Sequence, residues 1–155
     1  MTAAPEGSAF RVYAEASGKM GEAGSIRTGF AISNSAPTPA VVRLDLLAQD
    51  GVPTGQYGYA AIPGMGQVTL FPDQVEGLQS LQVPFSGFLR ISGAPVAVVG
   101  LKRRYNERGD LLLTPIPALF ESGLASPSEL VFFARGAGYT TQFILFSSSG
   151  KVVLP

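Results

Sequence analysis

The stretch "FRVYAEASGKMGEAGSIRTGFAISNSAP", residues 10–37, decides the fold. Phe10, Val12 and Ala14 fall on one side of an extended chain, opposite Arg11, Tyr13 and Glu15. After a break rich in Gly, Ile26, Thr28, Phe30 and Ile32 repeat the alternation against Arg27, Gly29 and Ala31. A period of two belongs to a strand with one face on a core and the other wetter. "VVRLDLLAQ" continues it, with Val42, Leu44 and Leu46 set against Arg43 and Asp45. So do "GQVTLF", "GFLRISG", "PVAVVGLKRRY", "DLLLTPI", "ELVFFAR" and "TTQFILFSS". Breakers such as "SNSAPTPA", "QDGVPTG", "IPGMG" and "SGLASPS" separate these runs.

Two hairpins are expected, one with "SGAP" joining "FLRI" to "VAVVGL", the other with "NERG" between "VGLKRRY" and "DLLLT". Only "PDQVEGLQSL" has apolar residues at helical spacing, which predicts one short helical turn near residues 73–80. Short strands without intervening helices predict an all-β fold, an antiparallel β-sandwich of about eight to ten strands. Its predicted core is Phe10, Val12, Phe30, Ile32, Val42, Leu44, Leu46, Val68, Leu70, Leu89, Ile91, Val96, Val98, Phe143 and Leu145.

Composition narrows the chemistry. A chain of 155 residues, 46 % hydrophobic and only 14 % charged, is read as one packed domain. Lys plus Arg equals Asp plus Glu at 11 each, so no long-range field draws in nucleic acid or an anionic membrane. There is no Cys, His or Trp. That excludes a thiolate site, an ordinary zinc site and an imidazole acid–base catalyst, and no cofactor is expected. No apolar run approaches a membrane-spanning length, so membrane insertion is not expected. "MTAAPEGSAF" has neither a basic n-region nor an apolar h-region and is not read as a signal peptide.

The polar clusters each admit a structural reading. Arg108-Gly109-Asp110 matches a receptor-read tripeptide, but Gly and Asp equally close a turn. "KRRY", residues 102–105, is the basic cluster, of a type that grips phosphate or single-stranded nucleic acid; alternation puts Lys102 and Arg104 on one face and Arg103 and Tyr105 on the other, with Glu107 and Asp110 available as counter-charges, and a solvated strand end is the reading. In "AQDGVPTGQYGY" Asp50 is the one carboxylate, too few for calcium. Tyr57 and Tyr59 share a strand face there and are the candidate ligand-binding residues, for surface glycans; an ordinary edge strand is the alternative. The carboxylates Asp45, Asp50, Asp73, Glu76, Glu107 and Asp110 form no motif, and Ser147–Ser149 has no His to activate it, so an enzyme is not expected.

The motifs "TGFAISN", "IPGMGQVTLF" and "TTQFILFS" resemble a module of long secreted or surface repeat proteins of soil bacteria, built from tandem immunoglobulin-like β-sandwich units. The resemblance runs from Phe10 to Gly150 and carries structural motifs, none of them catalytic. It implies an immunoglobulin-like fold, extracellular or cell-surface residence, and a repeated structural or adhesive role. The chain is read as a single domain, 1–155, with a main unit at 8–118 and a partial second copy at 128–155, whose "ELVFFARGAGYTTQFILFSSSG" echoes residues 10–37. In such arrays "TTQFILFS" opens a further unit, whereas here "GKVVLP" ends the sequence. Apolar ribbons of this kind need an edge to pair with. Either they complete their own sheet, or Tyr139, Thr141, Phe143 and Leu145 form a self-association strand that completes another copy or a neighbouring module head-to-tail.

Overall fold

The structure, a computed structural model, describes residues 4–121, 135–136 and 139–140. Ten strands occur among them: β1 (Glu6–Ser17), β2 (Ile26–Asn34), β3 (Ala40–Ala48), β4 (Pro53–Ile62), β5 (Gly66–Leu70), β6 (Phe85–Tyr105), β7 (Leu111–Ile116), β8 (Leu119–Phe120), β9 (Arg135–Gly136) and β10 (Tyr139–Thr140). The first eight form one sheet in the order β4-β3-β6-β1-β2-β5, with β7 on β6 and β8 on β1. Every pairing is antiparallel. β9 and β10 pair with each other. The expected all-β class holds, and the sheet curls into a half-barrel.

The curl is made by β6. The "SGAP" hairpin expected from the sequence does not exist: residues 85–105 form one strand of 21 residues that bends instead of reversing. Its first half lies between β1 and β3, with Leu89 opposite Val12 and Leu46, and Ile91 opposite Phe10 and Leu44. Its second half lies between β2 and β7. At the bend, Gly7 pairs with Val96 and Ala9 with Ser92, so Gly93, Ala94 and Pro95 stand against Ser8 alone. Gly93 takes a φ of 133°, and Pro95, which lacks an N–H, sits where the ladder is interrupted. Gly and Pro signal a bulge as well as a turn. Here each half finds a different neighbour, so the chain turns a corner between two parts of one sheet.

That corner lets one core serve both halves. Phe10, Val12, Val42, Leu44, Leu46, Leu89 and Ile91 come from one half, and Phe30, Ile32, Val96 and Val98 from the other. All are buried as expected, while Val68 and Leu70 pack at the margin. Phe143 and Leu145 lie outside the described residues, as do the "LVFFA" and "TQFILF" segments. Burying each large side chain stabilises the fold by about 1.5–3 kcal/mol.

A short 3₁₀ turn, Pro72–Gln74, lies at the start of the expected helical stretch. The chain then continues through three-residue turns, with the Leu78 N–H donating to the Val75 carbonyl and Leu81 to Leu78. A spacing of three suits these tight turns better than an α-helix. The loop drops Val75 and Leu78 into the core. Gly58 of β4 meets the loop backbone, and a Cβ there would collide with the Glu76 carbonyl and the Val75 side chain. Among the described residues no helix is long and apolar enough to cross a membrane.

Candidate functional site

Gly58 points inward, so its neighbours Tyr57 and Tyr59 point out, on the face of the sheet opposite the main core. Register sets Tyr57 opposite Asp45 and Tyr59 opposite Arg43; Asp45 in turn faces Arg90, and Arg90 faces Arg11. The two tyrosine rings are 47 % and 55 % exposed, 6.1 Å apart and nearly perpendicular at 86°. The Arg43 guanidinium lies 4.2 Å from the Tyr57 ring centroid, a cation–π contact that covers one face of that ring. The structure therefore brings the two predicted ligand residues together, exposed, and adds an arginine to them.

The charges continue across the strands. Arg43 Nε donates to Asp45 Oδ1 at 2.8 Å, and Arg43 Nη2 is also 2.8 Å from that oxygen. Arg90 Nη1 is 3.7 Å from the other Asp45 oxygen. Arg90 Nε and Arg11 Nε both donate to Glu121 Oε1, each at 2.8 Å. The hydrogen bond to Asp45 raises the Arg43 pKa, with help from Tyr59, and that to Glu121 raises the Arg90 pKa. Burial works to raise the Glu121 pKa, but the hydrogen bonds from Arg90 and Arg11 outweigh it and hold the carboxyl below its ordinary range. Further along this face Tyr13, Leu47 and Phe88 form a second buried cluster. The Tyr13 hydroxyl there is hydrogen-bonded to Ser86 Oγ at 2.8 Å.

No family model and no curated protein matches the chain. Among solved structures it is similar to the crystal structure of Thermotoga maritima 1070, at 21 % identity and a TM-score of 0.52, over 79 % of this chain and 99 % of that one. A likeness at that identity speaks for the fold alone.

The remaining candidates are occupied by structural contacts. Lys102 is paired with Glu15 at 2.7 Å, Arg104 with Glu107 at 2.9 Å, and Arg103 lies over the rings of Phe71 and Tyr105. The basic cluster is divided as alternation expects, although the partner of Lys102 comes from β1. Arg108-Gly109-Asp110 lies in the expected "NERG" turn, where Asn106 Nδ2 donates to the Asp110 carboxylate at 2.9 Å. Asp50 accepts the Val52 N–H, closing a local turn. A cleft of about 130 Å³ opens between β1, β2 and the loop after β5, and Glu15, Arg27 and Thr28 line it. Glu15 is tied to Lys102, Arg27 donates to the carbonyls of Ser17, Ile26 and Gly18, and Thr28 Oγ1 accepts the Glu15 N–H. These three side chains thus tie the ends of β1 and β2 together, and Asp73 and Gln79 line the cleft beside them.

Strand β7 is the other exposed feature. Leu111, Leu112 and Leu113 are exposed on both faces of the strand, and Val99 and Leu101 on β6 are exposed beside it. Its one pairing among the described residues is with β6. Of the predicted self-association strand, Tyr139 belongs to β10, paired with Gly136. Thr141, Phe143 and Leu145 lie outside the described residues.

Proposed function

We propose that the chain is a non-catalytic structural or adhesive module of an extracellular or cell-surface protein. In this reading it is a single immunoglobulin-like β-sandwich, with residues 128–155 as a partial second copy, that associates with further copies of itself by strand addition. The observation that carries the reading is β7, an apolar strand exposed on both faces with one unpaired edge among the described residues. Soluble proteins usually blunt such edges with charge or cover them. The partner is a second copy of this chain, offering the alternating segment Tyr139, Thr141, Phe143 and Leu145. Balanced formal charge, 11 against 11, gives two copies little reason to repel.

Sedimentation of the full chain over a concentration series tests this. Association is expected, and Leu111→Lys with Leu113→Lys weakens it by about 10-fold or more by charging the edge. A monodisperse monomer at high concentration, or association indifferent to both substitutions, overturns it.

A second reading rests on Tyr57 and Tyr59, which stand exposed together on the outer face. In it the module binds surface carbohydrate through those rings. Replacing both with Ala then abolishes glycan retention and leaves self-association intact.

A further inference from the structure

We infer that the surface formed by Tyr57, Arg43 and Tyr59 takes an acidic saccharide, a chain bearing sugar carboxylates, in preference to a neutral one. The inference rests on the carbohydrate reading of the two tyrosines and names the class of sugar. A platform for neutral sugars works by stacking, and stacking needs open ring faces. Here the two rings meet edge to face at 86°, and the Arg43 guanidinium occupies one face of Tyr57 at 4.2 Å. A sugar reaching this surface meets a guanidinium as soon as it meets a ring.

That guanidinium is held and oriented. Asp45 engages its Nε and Nη2 through a single oxygen. Tyr59 stands close enough to add to that hold. The planar fork of an arginine matches a carboxylate, and its position over Tyr57 reduces the freedom lost on binding. Asp45 does not cancel the charge here, because it is shared with Arg90 at 3.7 Å. Across the linked array, the guanidiniums of Arg43, Arg90 and Arg11 face the carboxylates of Asp45 and Glu121, three positive charges against two negative, a surplus of one. The chain as a whole is neutral, so this positive excess is local.

The geometry also gives the sugar a direction. Tyr59, Arg43 and Ser92 follow one another across three adjacent strands in register, a row about 10 Å long at the usual strand spacing. A short oligosaccharide fits such a row. One carboxylate would lie on Arg43, a ring against Tyr59, and the hydroxyls over the Arg90–Ser92 region, where Arg90 Nη1 is 3.3 Å from Ser92 Oγ.

Native affinity electrophoresis of the full chain, with polygalacturonate in one gel and a neutral β-glucan in another, tests the inference. Polygalacturonate is expected to retard the chain. Arg43→Gln weakens that retardation by about 10-fold, as loss of charge-assisted hydrogen bonds implies. Arg43→Lys gives an intermediate value, because the charge stays and the fork is lost. Tyr57→Ala with Tyr59→Ala abolishes retardation, and added salt reduces it for the unsubstituted chain. If the neutral glucan retards the chain through the tyrosines and Arg43→Gln changes nothing, the acidic-sugar inference fails and the carbohydrate reading stands. If neither polymer retards it, both fail. Retardation by polygalacturonate that survives Arg43→Gln also overturns the inference, since the charge then acts elsewhere. Circular dichroism of each variant confirms that the fold persists.

Discussion

Arg11 and Arg90 stand directly opposite each other on neighbouring strands, and both donate through Nε to the same oxygen of Glu121 at 2.8 Å. Two like charges in cross-strand register repel. Glu121, just past β8, turns that repulsion into a three-way bridge and fastens the end of the sheet to its outer face. Its carboxyl is held below the ordinary range by these arginines, so folding favours the charged form. The stabilisation is then complete above the ordinary carboxylate pKa and lost as pH falls through the depressed folded-state value. Glu121→Gln is expected to cost about 1–2 kcal/mol near neutral pH, since the group is only partly buried. Urea unfolding at neutral and acid pH checks this, and the difference between the two chains should close in acid.

Gly58→Ala tests how the loop plug is seated. A methyl group at this position meets the Glu76 carbonyl and Val75 Cγ1, so the loop must lift or β4 must shift. Overpacking of this kind costs about 1–3 kcal/mol. Thermal unfolding should show the loss. The fluorescence of Tyr57 and Tyr59, one position away on either side, should change with it.

The corner of β6 depends on Gly93, whose φ of 133° is closed to most side chains, and a Cβ there lies 3.0 Å from the Val41 carbonyl. Gly93→Ala is expected to destabilise by about 1–3 kcal/mol through backbone strain. Denaturant titration checks the magnitude, and amide exchange at residues 91–98 should report the loosened bend.

Asn34, 2 % exposed, holds the chain at the end of β2. Its Nδ2 donates to the carbonyls of Thr38 at 2.8 Å and Pro63 at 3.2 Å, and its Oδ1 accepts the Ala36 N–H at 3.0 Å. Asn34→Ala leaves these backbone groups without that partner, at a cost of about 1–3 kcal/mol. Asn34→Asp is no rescue, because a carboxylate cannot donate to two carbonyls. Chemical denaturation of both variants measures the difference.

The strands were legible because alternation is local: Phe10, Val12, Phe30, Ile32, Val42 and Leu44 could be assigned to the core from neighbours two residues away, and all are buried. The bend at residues 92–95 was not, since Gly and Pro mark a bulge and a turn in the same letters. Tyr13 belonged by alternation to the wetter face, yet it is buried with Leu47 and Phe88 in the second cluster. The Tyr57–Tyr59 pair could be found from its spacing. Arg43 and Asp45 share a face two positions apart and could be paired from spacing too. Arg90 and Glu121 gave no such signal, because Glu121 lies 31 positions from Arg90 and 110 from Arg11.

What the sequence determined by itself is the kind of element and the side of it that faces inward, because a strand's side chains alternate whatever it pairs with. Tertiary structure alone decided that one strand would turn a corner and serve both halves of the sheet. It alone decided that a glutamate would bridge two opposed arginines, and that an arginine would lie on a tyrosine ring. Such contacts depend on register between distant segments, and a shift of one residue would send each of those side chains to the other face.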